Sequence, residues 1–313
     1  MSKHMLLVFV VVSLFLTFSN SSLIAAEQVS SENKDEKSDS VLDRNNQMMM
    51  VFVERLKSGN VAEARKIAKD MAAFSKKYKD TDTIEYKSFY SNIEKEYYLL
   101  KNKNSKKKVV WVEEPIADGY YFLAVLDFQE KQYKDAIENI QKCISWNPVR
   151  AGYYNERGFI FLNSGADSNI ISAQVAYEQA LECANSEDDF ASGLRGLGFA
   201  LAARNQFDVS AAAMILSLEY EPNNADASEH LVRLKNLIPS FDFNMNVKQA
   251  RKILKDSKIQ TTYSPEHVKV LLKLASGFKI PEEKEKALVF LNRALMLEPQ
   301  NVEVLNKIKA LQK

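Results

Sequence analysis

The sequence is poor in the residues that punctuate β structure. Its 313 residues include only 9 Gly and 7 Pro. That argues against a sandwich or barrel built on tight turns and favours helices joined by short connectors. Cysteine is rarer still, at two. Cys143 and Cys183 are too few for a disulfide framework, and both fall at apolar helical positions, the pattern of buried thiols. Of the three histidines, His4 lies in the N-terminal segment, His230 in a helix and His267 near a helix start. They form no HExxH and no i, i+4 pair, so no metal site is expected. An excess of one charge is also lacking: 42 Lys and Arg nearly cancel 41 Asp and Glu. This leaves no electrostatic footprint for nucleic acid. Neither a G-x-S-x-G elbow nor a GxxxxGK[ST] loop occurs. No catalytic residue and no cofactor is expected, and the chain reads as a non-enzyme.

What is present begins with an export signal. MSKH supplies a positive start, MLLVFVVVSLFLTF an apolar run, and SNSSLIAA a small-residue end. Residues 1–26 read as a signal peptide cut near Ala26. The run Met5–Phe18 is too short to span a bilayer alone; membrane attachment is expected only if the segment stays uncleaved. The N-x-S/T acceptor at Asn20 falls within the signal, and none follows it. The expected location is periplasmic or secreted, with a bacterial envelope favoured. Residues 27–45 are polar and without apolar period, the composition of a flexible tether.

Beyond residue 45 the pattern is helical. MVFVERLKSGNVAEARKIAKDMAAF reads as a hairpin turning at Gly59-Asn60, with Ala64, Ala68 and Met71 down its second helix. A long helix is expected over about Thr83–Lys101, then a solvated basic loop, Lys101–Lys108. The acidic pairs Glu113-Glu114 and Asp188-Asp189 read as loop solvation.

One sequence phrase then recurs. CISWNPVRAGYY (143–154), LSLEYEPNNADA (216–227) and ALMLEPQNVEV (294–304) each carry an apolar helix end, an Asn or Glu, a Pro and a fresh helix start. The proline stops each helix, because it lacks an N–H and restricts the residue before it. Counting back from each stop gives paired helices. In the last copy Leu274, Ala275 and Phe278 face Ala287, Leu291 and Ala294.

These residues resemble the tetratricopeptide repeat family, whose unit is a helix–turn–helix of about 34 residues closed by Pro. The resemblance implies a small close-packing residue in each helix: Ala124, Gly158, Gly198 and Ala275 in the first helices, Ala136, Ala173, Ser210 and Ala287 in the second. Within GLRGLG, Gly198 fills such a slot, while Gly193 and Gly196 have no evident role. The spacings here run longer, with extra residues expected in loops at Ser168–Ile171 and Pro239–Asn246. The resemblance implies an all-α, tetratricopeptide-type α-solenoid of stacked antiparallel helix hairpins forming a superhelix. A helical region at 46–116 precedes the solenoid at 117–301, with units near 117–150, 151–187, 191–224, 225–264 and 268–301, and a capping helix spans 302–313. In the fourth unit Ala250 and Leu254 take the second-helix slots.

In that family the first helix of each unit lines a concave groove. The resemblance therefore implies a partner-binding groove of Tyr121, Val125 and Phe128, then Asn155, Phe159 and Leu162, then Arg195 and Phe199, then Glu229 and Arg233. The family's best-known site clamps a peptide carboxylate with a Lys and an Asn; this chain has Tyr121 and Val125 there, leaving Arg195 as the cation for a carboxylate. The expected function is an exported, non-catalytic scaffold or adaptor for a protein or peptide. The alternative is a scaffold of an envelope polysaccharide or secretion apparatus, with the aromatic residues stacking on glycan.

Overall fold

The computed structural model describes residues 36–166, 168–238 and 245–312. The expected signal and the start of the tether lie outside them, as do residues 239–244 of the long loop expected at Pro239–Asn246. Among the described residues, fourteen helices and one two-stranded sheet make the fold all-α, an array of helix hairpins of solenoid type. The chain divides into two compact units at the Pro148–Val149 junction.

The N-terminal unit opens with α1 (Glu36–Lys57) and α2 (Val61–Ala73). The expected tether is thus helical from Glu36 onward. The cause is the apolar run that follows: Phe52, Val53 and Leu56 are buried, and a packed helix extends backwards cheaply once nucleated. The expected turn is present, with Gly59 at φ 77° and the Asn60 side chain accepting from Glu63 N. Ala64, Ala68 and Met71 are fully buried.

The long helix expected over Thr83–Lys101 is not formed. Its first part is strand β1 (Ile84–Lys87), and only α3 (Asn92–Lys101) is helical. β1 pairs in parallel with β2 (Lys108–Trp111), whose KVVW lies at the end of the expected basic loop. Ser91 ends the extended stretch, because its hydroxyl accepts from Glu94 N as a helix N-cap. Helices α4 (Ile116–Gln129) and α5 (Tyr133–Trp146) then form the first repeat hairpin, and α4 also packs on α2. Between α2 and α4, Arg65 Nη1 donates to Asp127 Oδ1 at 2.5 Å and pairs with Glu130 at 3.0 Å. Asn139 of α5 donates to the other Asp127 oxygen at 2.7 Å. The Glu114 carboxylate is not a solvated loop charge either, since Tyr78 Oη donates to it at 2.5 Å.

The C-terminal unit contains α6 (Ala151–Asn163), α7 (Ser168–Cys183), α8 (Glu187–Ala203), α9 (Phe207–Tyr220), α10 (Ala225–Leu237), α11 (Val247–Asp256), α12 (Pro265–Ala275), α13 (Lys284–Leu297) and α14 (Val302–Leu311). The pairs α6/α7, α8/α9 and α12/α13 pack as hairpins. The recurring phrase has one geometry: Asn147, Glu221 and Glu298 end α5, α9 and α13 at φ −137°, −136° and −140°. Each precedes a proline, which forces extended backbone on the residue before it. The turns of the α4/α5, α6/α7 and α8/α9 hairpins each hold a left-handed residue, Lys131, Gly165 and Asn205. The small-residue slots are buried in every hairpin, Gly158 and Gly198 among them.

Four expectations shift here. Ser168–Ile171 opens α7 and is not a loop insertion. α8 starts at Glu187, so Asp188 and Asp189 sit in its first turn, where carboxylates oppose the positive end of the helix dipole. The Ser186 hydroxyl also caps Asp189 N. The fourth unit is no regular hairpin, because α11 packs chiefly on α9, tied there by Arg251 pairing with Glu219 at 2.5 Å. In α12 the fully buried leucine is Leu271, and Leu274 is only half-buried.

Candidate functional site

The groove residues proposed from the sequence do not share one fate. In the N-terminal unit α4 is apolar nearly all round, and Tyr121 (3% exposed) and Val125 (4%) belong to the core. They cannot line a groove. Besides its hairpin partner α5 and α2, α4 meets α1, where Phe122 stacks on Phe52 with ring centroids 3.9 Å apart, so little of its surface is left to solvent. Phe128 is half-buried, its ring 5.7 Å from that of Tyr133 at the hairpin turn.

The C-terminal unit keeps more of the expected surface. On α6, Phe159 is an exposed large apolar residue (37%), and Leu162 one turn on is half-buried. Asn155 turns toward α8, where its amide nitrogen is 3.5 Å from the Asp189 carbonyl oxygen. On α8, Phe199 is half-buried and its ring meets the His230 imidazole edge-on at 4.6 Å. Arg195 does not offer an open cation for a ligand carboxylate. Its guanidinium is ion-paired with Glu221 and donates to Ser192 Oγ at 3.0 Å. On α10, Glu229 and Arg233 form an exposed i, i+4 pair at 3.3 Å, worth about 0.5 kcal/mol at most.

A buried polar triad beneath Phe199 escaped sequence reading. Ser210 Oγ donates to the Gly198 carbonyl at 2.7 Å, tying α9 to α8, and stands 3.1 Å from His230 Nε2. Because its one proton is committed to Gly198, the serine accepts from His230, which fixes the Nε2–H tautomer. Burial, and then the nearby Arg233 charge, lower the His230 pKa. The triad holds the ring on which Phe199 rests. The only signal for it in the sequence was a serine in a slot that alanine fills elsewhere.

The glycines left without a role are explained by packing. A Cβ at Gly193 would lie 2.9 Å from Leu181 Cδ2. The Tyr177 ring of α7 is wedged between Gly158 of α6 and Gly196 of α8, since a Cβ at either would come closer than 3.0 Å to it. Glycine is thus the price of seating a tyrosine between two helices. No phosphate or backbone-approaching ligand is needed to explain GLRGLG.

No protein-family model matches this chain, nor does any curated protein at a significant level of similarity. Among the described residues, no group of three or more His, Cys, Asp and Glu is placed to hold a metal ion, and no helix is long and apolar enough to cross a membrane. Cys143 and Cys183 are both buried and form no disulfide.

One buried acid has a measurable consequence. Burial holds the Glu156 pKa up at about 7, against an ordinary 4.5. The folded state then binds this proton more tightly than the unfolded chain, so the group's contribution to stability is lost as pH rises from its unfolded pKa toward the folded one. Glu156→Gln should match the wild type near pH ~4 and exceed it by about 3 kcal/mol above pH ~7. Urea midpoints at both pH values check this; a variant equally displaced at both would show that ionisation is irrelevant there.

Proposed function

We propose that this protein is an exported, non-catalytic adaptor of tetratricopeptide type that binds a protein or peptide through the first helices of the hairpins in its C-terminal unit. The observation that carries the reading is the exposed Phe159 on α6. Exposed aromatic rings beside polar rims are the usual anchors of protein recognition. Leu162 extends the apolar surface along the same helix. The resemblance to tetratricopeptide repeats is supported by the repeated Pro-closed caps and by the buried small residues where hairpin helices cross. The signal-like residues 1–26 motivate export.

The groove proposed for the whole chain contracts in this reading. Tyr121 and Val125 leave it, and Arg195 acts as a partner of Glu221. Phe159 carries the contact, with Leu162 and Phe199 beside it. The test is affinity capture by the chain from Glu27 onward in extracellular or envelope extract, read by mass spectrometry, with Phe159→Ala alongside. Phe199→Ala serves as a second variant, expected to loosen the His230 packing as well. A protein retained by the wild type and lost from folded Phe159→Ala supports the reading. Undiminished retention by Phe159→Ala, or capture of glycan alone, would remove it.

A further inference from the structure

The N-terminal unit carries a second surface, independent of the groove reading. The two strands run in parallel register, Ile84 opposite Lys108 through Lys87 opposite Trp111. Lys108 N and Val112 N donate to Thr83 O and Lys87 O, at 2.8 Å each. Backbone groups on a strand alternate sides with period two. The N–H and C=O groups of Val109 and Trp111 therefore point away from β1.

The two outer edges differ. That of β1 is closed: Ile84 N donates to Thr81 Oγ1 at 3.0 Å, Tyr86 N to Asp80 Oδ1 at 2.9 Å, and Ser88 N to the Trp146 carbonyl at 2.9 Å. That of β2 is open: among the described residues, no acceptor is found for Val109 N or Trp111 N. Val109, Val110 and Trp111 are half-buried, and β1 is the main element against which β2 packs. Folded proteins usually blunt such an edge, because it is a template for another strand. Here the guard is charge of one sign. Lys103, Lys106, Lys107 and Lys108 lie exposed just before or at the start of the strand, and the run 101–108 contains no acid.

We propose that the outer edge of β2 receives an extended peptide as a third strand, and that the peptide is acidic where it passes Lys106–Lys108. Main-chain bonds to Val109 and Trp111 would supply affinity, and the lysines selectivity. A second copy of the chain is a poor occupant, because it brings the same lysines with it. The lysine run alone would suit any polyanion. The unpaired edge beside it asks for a backbone, and only a peptide offers one in the matching repeat.

The experiment uses the full chain and a fluorescein-labelled eight-residue peptide of alternating Glu and Val, read by fluorescence polarisation. The controls are its Lys/Val counterpart and a Glu/Val peptide N-methylated at alternate positions. The acidic peptide should bind, at least ten-fold more tightly than the Lys/Val peptide. It should slow hydrogen exchange at the Val109 and Trp111 amides. Val109→Pro removes one outward N–H without touching the β1 ladder, and should weaken binding at least ten-fold. If that variant folds poorly, the N-methylated peptide makes the same test on the wild type, and should fail to bind. Three results would overturn the proposal: no binding, binding indifferent to both Val109→Pro and N-methylation, or equal binding to phosphatidylserine vesicles, which present charge without a backbone. Dimerisation of the free chain through this edge, abolished by Val109→Pro, would also overturn it, in favour of the second copy.

Discussion

Gly119→Ala should destabilise the N-terminal unit by about 3 kcal/mol, although the same change in an unobstructed helix is worth up to about 1 kcal/mol in the opposite direction. The two effects compete, and geometry decides. A Cβ at Gly119 would lie 2.8 Å from Met71 Cβ and 2.9 Å from the Met71 carbonyl carbon, with Ala72 N closer still. Two of these are backbone atoms of α2, which cannot retreat as the end of a side chain can. Nor can α2 slide away easily. Arg65 holds it to Asp127 of α4, and Ser75 just beyond it is 3.0 Å from Tyr120 Oη. The measurement is favoured by the placement of the fluorophores: both tryptophans, Trp111 and Trp146, lie in the N-terminal unit. Urea unfolding followed by tryptophan emission therefore reads this unit alone. With a slope of ~1–3 kcal/mol/M, the midpoint should drop by about 1–3 M. An unchanged or raised midpoint would mean that α2 yields freely and that propensity dominates.

Tyr177→Ala should cost the C-terminal unit about 3–5 kcal/mol, as for other fully packed aromatic residues. The ring is buried and flanked by Gly158 and Gly196. Its removal leaves a cavity bounded by two helix backbones, which collapse poorly. Gly196→Ala should also destabilise, by about 1–3 kcal/mol, because the ring it meets has no room to move toward Gly158. The double variant tests whether these are one effect. With the ring gone, the new methyl group has space, so Gly196→Ala in the Tyr177→Ala background should cost little or restore stability. That is a coupling of about 1–3 kcal/mol in a double-mutant cycle. No tryptophan lies in this unit, so circular dichroism is the appropriate probe. Additive losses would show that the two residues act separately and that the wedge is not what requires glycine.

These two sites mark how far sequence reasoning reaches. The small residues of the repeat could be placed from the repeat resemblance, and Gly158 and Gly198 are buried where expected. Gly119 and Gly196 could not be, because what excludes a side chain there belongs to a distant segment: the backbone of α2 in one case, the ring of Tyr177 in the other. The groove shows the same limit. The repeat resemblance marks Tyr121, Val125, Phe159 and Phe199 equally as groove positions of first helices. It cannot tell that the first two are buried in the core while Phe159 is 37% exposed. The missed strands had a weak local signal, the run KVVW, but four-residue strands owe their existence to each other, and the intervening α3 hides the pairing.

The sequence by itself determined the all-α class, the hairpin at Gly59-Asn60, the helix stops at Pro148, Pro222 and Pro299, and the small-residue slots. Each depends on local backbone sterics or on the 3.6-residue period, which neighbouring residues set among themselves. Only the tertiary structure decided which apolar faces are covered, that Arg195 is paired with Glu221, that α11 packs on α9, and that the outer edge of β2 has no strand beside it among the described residues. Each of these depends on which distant segment arrives as a partner, and a local pattern records that a face is apolar or a strand extended, not what comes to cover it.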